Sequence, residues 1–408
     1  MGVREVIRLL KYGVLAISAV ALSAHAAGVS DNVVRIGVLS DMSGIFSDLA
    51  GEGSVVAAKL AIEDFRKAEN PEFEIELLTA DHQNKTDIAA NRAREWYDVQ
   101  KVDMITDVIN SAVALAVSRV ATDKQRLLLI TGSGANAINN EQCSPNAVLY
   151  AWDTYSLANG FVNAISDKGH KSWYFVSVDY ALGKAAEGDA TAAVNKKGGT
   201  VLGSVKHPLG APDFSAFMLQ AHNSGAEVIG LANAGGDLHN AIRSANEYGI
   251  NERHVLVALA GNVADMHALG PQLTQGMYLM ESFYWDQDEA SRQWSQRFND
   301  QLGKMPNPLN AGTYSAVLQY LNAVKRTGSD DWKVVLEDLK KQRFDDVFLQ
   351  NGYIREDNTM VHDIRLRVVK SPKESKGPWD LYSDDTVVIA GDDAYQPLSE
   401  SRCPMVKK

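Results

Sequence analysis

The hydrophobic pattern of the chain changes within residues 33–65, where an apolar run stops at small polar residues and then resumes with helical spacing. The run is too uniformly apolar for a strand with one wet face, so it predicts a strand inside a parallel sheet covered on both sides. From residue 51 onward, apolar residues recur at steps of three and four, which predicts a helix. The loop between them lies at the carboxyl end of its strand, where open α/β sheets bind ligands.

Strands and helices alternate along most of the remaining chain. Alternation at residues 73–80 and short apolar segments at residues 104–106 and 127–130 predict further strands, and the strand–helix alternation begins again at residue 173. These βαβ units predict an α/β fold with two sheet layers of comparable size. After residue 288 the pattern is mainly helical, so these helices are expected to pack back onto an existing lobe. Alternation at residues 363–369 predicts an edge strand or an added strand.

Composition and charge narrow the classes of function. The 408 residues are 45% hydrophobic and 22% charged, which is ordinary for a globular protein large enough for two domains. The net charge of -11 argues against nucleic acid as a partner, because phosphate binding needs clustered Lys and Arg. Residues 1–26 combine a basic start, a short apolar core and Ala-His-Ala, which predicts a secretory signal peptide cleaved near Ala26.

The sequence contains few motifs that indicate catalysis or the binding of a metal or cofactor. Cys143 and Cys403 lie in the exported part, where an even pair is a candidate disulfide. The GxxxxGK[ST] phosphate loop, the GxSxG elbow and the HExxH pair do not occur in the sequence. Gly132-Ser133-Gly134 fits only a relaxed dinucleotide fingerprint, and the residues after it lack helical periodicity. The sequence therefore predicts a protein that is not an enzyme and holds neither a metal nor a cofactor.

Three loops share one property, because residues 110–112, 133–134 and 235–236 put small residues between a strand and a helix or turn. Their backbone N–H groups and hydroxyls can face a ligand unobstructed, which suits a carboxylate. Each loop alone could equally be a tight turn or a helix cap. Four aromatic residues lie near these loops: Phe46, Trp152, Tyr155 and Tyr180. They could either sandwich an apolar ligand or belong to a lobe core. Core packing is favoured for Trp152.

Four segments carry a family resemblance: RIGVLSDMSGIFSDLAGEG, DVINSAVALAV, VSVDYALG and GLANAGGD. They resemble the periplasmic solute-binding proteins of ABC importers, specifically the type I group typified by the Leu/Ile/Val-binding protein. The similarity runs in order through nearly the whole mature chain. It implies two Rossmann-like lobes, joined by a three-strand hinge, that close around a ligand. The crossings are expected near residues 153–156, 281–285 and 361–365.

By this resemblance, residues 27–153 and 285–362 form an N-terminal lobe. Residues 154–284 and 363–408 form a C-terminal lobe, and residues 1–26 are the signal peptide. The resemblance also implies a periplasmic protein, expected to be a monomer, that binds a small carboxylate. Its partner would be an inner-membrane ABC permease, to which it delivers the ligand. A ligand sensor that signals to a receptor and an exported enzyme are alternatives.

The resemblance also implies the positions of ligand-binding residues. Amino-acid-binding members hold the ligand carboxylate with backbone N–H groups and hydroxyls of two loops, and the matching residues here are 110–112 and 133–134. An aromatic residue in the first loop of the family matches approximately Phe46. The complete set of candidate ligand-binding residues is Phe46, Asn110, Ser111, Ala112, Ser133, Gly134, Tyr155, Asp179, Tyr180, Asn233, Gly235 and Asp237.

The expected ligand follows from one segment at which this sequence departs from the pattern of the amino-acid-binding members. Amino-acid binders place an acidic residue on the substrate ammonium, whereas the matching residues 259–262 are neutral here. A buried ammonium without a carboxylate partner is costly, although Asp179 or Asp237 could substitute. The segments DYALG, GLANAGGD and ESFYWD are also similar to the subgroup associated with aromatic carboxylates. We therefore expect a benzoate- or phenylpropanoid-type acid, with a branched-chain amino acid as the alternative.

Overall fold

The computed structural model describes residues 28–384 and 386–407, so the predicted signal peptide lies outside the described residues. The strands in this part are β1 Val33–Ser40, β2 Glu74–Asp81, β3 Met104–Asp107, β4 Leu127–Ile130, β5 Ala147–Leu149, β6 Ser172–Val178, β7 Thr200–His207, β8 Val228–Ala232, β9 Val255–Ala258, β10 Tyr278–Glu281, β11 Tyr353–Ile354, β12 Met360–Val361, β13 Ile364–Val368 and β14 Val387–Ile389.

The helices in the same residues are α1 Gly51–Glu69, α2 Thr86–Asp98, α3 Ser111–Lys124, α4 Thr154–Asp167, α5 Ala181–Lys196, α6 Ser215–Asn223, α7 Gly235–Glu247, α8 Val263–Leu269, α9 Pro271–Thr274, α10 Glu289–Leu302, α11 Pro308–Thr327, α12 Trp332–Leu339 and α13 Gly391–Ala394. No helix of the described segments is long and apolar enough to cross a membrane.

The strands form two main sheets. The first contains five parallel strands in the order β2-β1-β3-β4-β5, and the second contains seven in the order β14-β13-β10-β9-β8-β6-β7. In the second sheet, β13 runs antiparallel to both β10 and β14, and the other pairs are parallel. The structure confirms the predicted α/β class with two Rossmann-like lobes. Of the two alternatives predicted for residues 363–369, the structure shows the added strand: β13 is internal, and β14 forms the edge of the sheet.

The first lobe, which consists of the first sheet and the helices packed on it, also contains the late helices α10 to α12. Val34 and Ile36 of β1 share one core with Phe65 of α1, Phe298 of α10 and Tyr320 of α11. Helix α1 ends at a left-handed Asn70 and carries Glu52 in its first turn and basic residues in its last, which complements the helix dipole. The helices after residue 288 therefore pack back on an existing lobe, as their sequence position predicts.

The second lobe consists of the second sheet and helices α4 to α9. One face of the sheet buries Val176, Leu231 and Leu279 against α6, α7 and α8. The other face buries Trp173, Phe175 and Val257 against α4 and α5. Because both faces are covered, its central strands are continuously apolar, which is what a parallel sheet inside a doubly wound lobe requires.

The chain passes between the two sheets three times: after β5, after β10 and after β12. All three passages meet at the carbonyl oxygen of Ala151. The Ser282 hydroxyl donates to it at 3.3 Å, and Nε2 of His362 lies 3.1 Å from it. The same Nε2 lies 2.9 Å from the hydroxyl of Tyr395, and burial lowers the pKa of the His362 ring, so the ring is neutral here at neutral pH.

The C-terminal tail returns from the edge of the second sheet to the first lobe. A disulfide joins Cys403 to Cys143, in the loop between β4 and β5, with an S–S distance of 2.00 Å and a Cα–Cα distance of 5.6 Å. Beside it, Nδ2 of Asn140 donates to Oε1 of Gln396 at 2.9 Å, and the backbone N–H of Arg402 donates to Oδ1 of Asn140 at 2.9 Å. The tail thus forms a fourth connection between the lobes.

Loss of this disulfide is expected to destabilise the protein, because a cross-link that closes a long loop restricts the unfolded chain. The double variant Cys143→Ser/Cys403→Ser should lose about 2–5 kcal/mol of unfolding free energy. Chemical denaturation of the wild type with and without reductant measures the effect, and thiol titration of the denatured, unreduced protein checks the bond. Two titratable thiols, or identical denaturation midpoints, would show that the bond is absent.

Candidate ligand-binding site

A cavity lies between the two lobes, at the carboxyl ends of strands from both sheets. The cavity volume in which the centre of a water-sized sphere can move is ≈ 50 Å³, and part of the concavity opens to solvent. Most of its wall is apolar and is formed by Phe46, Leu49, Ile109, Trp152, Leu157, Tyr180, Leu182, Ala234, Ala260, Met280, Pro308 and Leu309. The polar side chains of the wall belong to Asn110, Ser111, Ser133, Asn262, Glu281 and Ser282. Few polar groups in an apolar concavity are typical of a small-molecule site.

The start of α3 forms the first polar corner. The Asn110 side chain caps this helix by accepting from the backbone N–H of Ala112 at 2.8 Å, and its amide donates to Asn84 at 2.6 Å. The hydrogen bonds of the described residues leave the backbone N–H and the hydroxyl of Ser111 without an acceptor. An orphan N–H and a hydroxyl at a helix N-terminus form a site for an anion.

The backbone before α3 is strained. Asp107, Val108 and Asn110 have φ values of 75°, 49° and 80°, which is uncommon outside glycine and most unusual for a β-branched residue. Such strain persists only where the surrounding structure enforces it, and it clusters at ligand sites.

Burial raises the pKa of the Asp107 carboxyl to about 6, and the hydroxyls of Ser40 and Ser54 partly offset that effect.

The loop after β4 forms the second part of this corner. The Ser133 hydroxyl donates to the carbonyl of Val108 at 2.7 Å, which ties this loop to the start of α3. No acceptor among the described residues takes the backbone N–H of Ser133 or Gly134. A Cβ added at Gly134 would stand 2.3 Å from the Trp152 ring, so this position has no room for a larger residue. We call residues 110–111 and 133–134 together the N–H corner.

The two lobes touch across the mouth of the cavity, so the structure is closed. Phe46 is only 2% exposed and packs with Ile45, Tyr180 and Ala234 from both lobes. Gly235, at the start of α7, has φ +58°, and a Cβ added there would lie 2.8 Å from the carbonyl oxygen of Ile45. Glycine at this position therefore permits both the turn and the close approach of the lobes.

Glu281, at the end of β10, is the acidic residue of the wall and is 2% exposed. Its Oε1 accepts from the backbone N–H of Val263 at 2.5 Å. Its Oε2 is buried beside the Tyr382 hydroxyl, although the two groups do not reach hydrogen-bonding geometry in the described residues. Burial raises the pKa of Glu281 to about 8, and the charge of Arg367 partly offsets this. The carboxyl is therefore mostly protonated at pH 7.

Five of the candidate residues line this cavity: Phe46, Asn110, Ser111, Ser133 and Tyr180. Gly134 and Gly235 adjoin it through their contacts with Trp152 and Phe46. Ala112 is not part of the lining, because the Asn110 side chain already takes its N–H. These seven residues follow the carboxyl ends of five different strands, β1, β3, β4, β6 and β8, which the fold brings together.

The other candidates are engaged elsewhere. Asp179 is exposed and lies 3.4 Å from Nζ of Lys184, while Asp237 accepts from the Gly210 N–H with both carboxylate oxygens at 3.1 Å. Nδ2 of Asn233 lies 3.2 Å from Nε2 of His207. The Tyr155 hydroxyl faces the tail, 3.5 Å from the carboxylate of Glu400. Neither aspartate therefore stands in the wall as a partner for a ligand ammonium.

Two further residues of the wall stand out. Trp152, for which core packing was favoured over the cleft, packs against the cores of both lobes and also lines the cavity, and its Nε1 is buried without an acceptor in the described residues. Glu281 was assigned only to a crossing between the lobes. Its signal was present in the sequence, because it is the single charge within the apolar run from residue 277 to residue 285.

Replacement of Glu281 by Gln is expected to stabilise the ligand-free protein at alkaline pH. The folded-state pKa of about 8 lies above the ordinary value of 4.5, so wild type loses stability relative to Glu281→Gln as pH rises between these two values. The difference should reach roughly 4 kcal/mol at pH 8 and become small near pH 4. Denaturation curves of both proteins at several pH values measure it, and a constant difference would contradict the raised pKa.

The comparisons with known proteins agree with this geometry. A family model described as periplasmic binding protein matches residues 33–377. The crystal structure of a periplasmic binding protein from Burkholderia mallei has a TM-score of 0.89 and 46% identity, covering 92% of this chain and 100% of that one. A branched chain amino acid ABC transporter periplasmic ligand-binding protein from Burkholderia xenovorans has a TM-score of 0.82 and 38% identity, with coverages of 92% and 100%.

More distant relatives extend the comparison. A solute binding protein of an ABC transporter from Rhodopseudomonas palustris, in complex with 3,4-dihydroxy benzoic acid, has a TM-score of 0.78 and 19% identity, covering 90% of this chain and 98% of that one, and shows the fold alone. The Leu/Ile/Val-binding protein homolog 6 of Brucella abortus is 24% identical over 266 residues, which are 64% of this chain and 66% of that relative. The chain thus spans just under two thirds of that curated relative. Because the family model covers most of the sequence, the chain belongs to the periplasmic binding protein family.

Proposed function

We propose that this protein is the solute-binding component of an ABC importer. It captures a small carboxylate between its lobes in the periplasm and delivers it to an inner-membrane permease, without chemical change. The observation that carries this proposal is the N–H corner, where unpaired backbone donors of two loops face an otherwise apolar cavity. Buried donors without partners are costly in a protein interior, so a ligand anion that accepts from them is stabilised.

The ligand we propose is an aromatic acid. Its carboxylate accepts from Ser111 and Ser133, and its ring packs against the aromatic side chains of Phe46, Trp152 and Tyr180. Aromatic rings bind well in such walls because they bury a large apolar area and pair edge to face. The complex of the Rhodopseudomonas palustris neighbour with 3,4-dihydroxy benzoic acid is compatible with this choice, since the two chains share the fold.

A branched-chain amino acid is the second candidate, and Glu281 is the observation that favours it. Its free Oε2 could accept from a ligand ammonium, a role that neither Asp179 nor Asp237 can fill from its position. The printed description of the Burkholderia xenovorans neighbour names branched chain amino acids. For this ligand Glu281 must lose its proton, so the affinity would rise with pH up to the pKa of about 8.

Closure is the proposed working motion. The lobes, residues 27–153 with 285–362 and residues 154–284 with 363–408, rotate about the three passages. Ligand must contact both lobes, because only a difference in affinity between the closed and open states shifts the equilibrium. The cavity meets this condition, since Ser111 belongs to the first lobe and Tyr180 and Glu281 to the second. We propose a monomer, because each chain supplies both walls.

A panel of ligands is expected to separate the candidates by thermal shift. A ligand at one hundred times its Kd should stabilise the protein by about 2.7 kcal/mol. We expect benzoate- or phenylpropanoid-type acids to raise the Tm, and aliphatic acids and leucine to have little effect. Benzamide is the matched control, because it keeps the ring but lacks the anion. A shift with leucine, isoleucine and valine alone would instead identify an amino-acid binder.

Substitution of Gly235 is expected to oppose closure. The Cβ of Gly235→Ala would meet the Ile45 carbonyl at 2.8 Å only when the lobes touch, so ligand affinity should fall about tenfold or more. Gly236→Ala is the control, because a Cβ there meets nothing within 4 Å. Titration calorimetry measures both affinities, and small-angle scattering measures compaction on binding. Equal affinities of the two variants would exclude this contact from closure.

A further inference from the structure

We propose that the second lobe carries an anion site apart from the N–H corner, in which Arg365 and Arg367 of β13 bind a small oxyanion of the phosphate or carboxylate type. The site is a separate cavity, so this inference goes beyond the proposed function and does not rest on it. The volume in which the centre of a water-sized sphere can move there is ≈ 320 Å³, and the cavity opens to solvent. Among the described residues that line it, Val388 alone has a purely hydrocarbon side chain, so the wall is polar.

Strand β13 places both arginines on one face of the second sheet. Side chains alternate between the faces of a strand, so Arg365 and Arg367 share a face and Leu366 lies on the other. Leu366 packs against the core that α4 and α5 cover. Arg367 is only 4% exposed, and its Cζ lies 5.1 Å from the centre of the Tyr284 ring, whereas Arg365 is half-buried. Two guanidinium groups from one strand therefore line the same cavity.

Neither arginine has an ion-pair partner. No carboxylate oxygen of the described residues lies within 4 Å of either guanidinium, because the acidic residues of the wall are engaged elsewhere or exposed. Asp286 pairs with Arg292 at 3.0 Å. Asp380 pairs with Lys370 at 2.5 Å, and Asp384 is exposed. The wall thus carries two positive charges without a counter-charge in contact.

Burial makes these two charges costly. It lowers the pKa of both guanidinium groups, and the neighbouring charge of Arg367 lowers the pKa of Arg365 further. An ionised Glu281 would favour the charged form of Arg367, but that carboxyl is mostly protonated at pH 7. The contact with the Tyr284 ring offsets only part of the cost of an unpaired buried charge. An anion in this cavity would supply the missing counter-charge.

Hydrogen-bond donors accompany the charges. The hydrogen bonds of the described residues leave Nε and Nη1 of Arg365 and Nε of Arg367 without an acceptor. The amide nitrogen of Gln287 and the hydroxyl of Ser383, two further residues of the wall, also lack partners there. Because Arg365 is half-buried, an anion in the cavity can reach its guanidinium. A planar guanidinium donates two parallel hydrogen bonds to a phosphate or a carboxylate, which is why we assign the site to these oxyanions.

Anion titration of the wild-type protein tests this inference. Sodium phosphate, sulfate and acetate are each added at constant ionic strength against sodium chloride, so that charge screening stays the same. At least one of these oxyanions should raise the Tm saturably, by about 2 °C at ten times its apparent Kd. A response to phosphate or sulfate would identify the phosphate type, and a response to acetate alone the carboxylate type. Chloride-like behaviour of all three would overturn the inference.

Variants locate the binding at β13. Arg365→Gln should raise the apparent Kd of the oxyanion at least about tenfold, because a charged pair of donors is lost. Arg243→Gln is the matched control, since Arg243 is exposed on α7 and lies outside this cavity, and its Kd should equal that of wild type. Equal affinities of Arg365→Gln and wild type would place the anion elsewhere, for example at the N–H corner, and would overturn the inference.

A second variant and a second measurement complete the test. Asp385 is the remaining acidic residue of this segment and lies outside the described residues, so Asp385→Asn asks whether the chain supplies its own counter-charge. Its apparent Kd should equal that of wild type, and a tenfold gain in affinity would overturn the inference. If Arg365→Gln does not fold, a crystal structure of wild type with selenate decides, because selenium locates the anion by anomalous scattering. Selenate bound only away from Arg365 and Arg367 would equally overturn it.

Discussion

The meeting of three chain passages at the Ala151 carbonyl is the constraint on which the structure depends. Ser282 and His362 approach this oxygen from the second and third passages, and Tyr395 supports the His362 ring from the tail. Because these contacts are buried, they hold the passages together while the sheets on either side remain separate bodies. The cavity opens directly beside them, since Trp152 and Glu281 are the neighbours of Ala151 and Ser282 in the sequence. The passages between the lobes and the wall of the cavity are therefore formed by adjacent residues of the same segments.

The distribution of satisfied and unsatisfied polar groups distinguishes this cavity from an ordinary core. The Asn110 side chain caps α3, and the Ser133 hydroxyl joins two loops by donating to the Val108 carbonyl. The adjacent backbone N–H groups of residues 111, 133 and 134 have no acceptor in the described residues. On the opposite side, Glu281 has one oxygen bound and one free. Interiors rarely leave such groups unpaired, so the unused backbone donors beside the cavity are what the proposed ligand anion would satisfy.

Much of the fold could be predicted from the sequence, because apolar periodicity reports which faces are buried, and the family resemblance supplied the lobes. The order of strands in a sheet is not local information, which is why the alternation at residues 363–369 left an edge strand and an added strand both open, and β14 lies outside β13. Loop position predicted that Ser111 and Phe46 lie at the site, and both line the cavity. Loop position does not reveal that the Asn110 side chain takes the Ala112 N–H, and it does not reveal that Glu281 adjoins the cavity, because that depends on strand register.

The disulfide between Cys143 and Cys403 changes the mechanics of the molecule. A hinge made only of peptide strands can bend, twist and stretch in several directions. With the tail bonded to the loop before β5, the two lobes are fastened at a fourth point on the side of Tyr395 and Gln396, away from the mouth at Phe46 and Gly235. For the closure proposed above, the bond therefore opposes separation of the lobes on this side and leaves rotation at the mouth as the direction in which they can move apart.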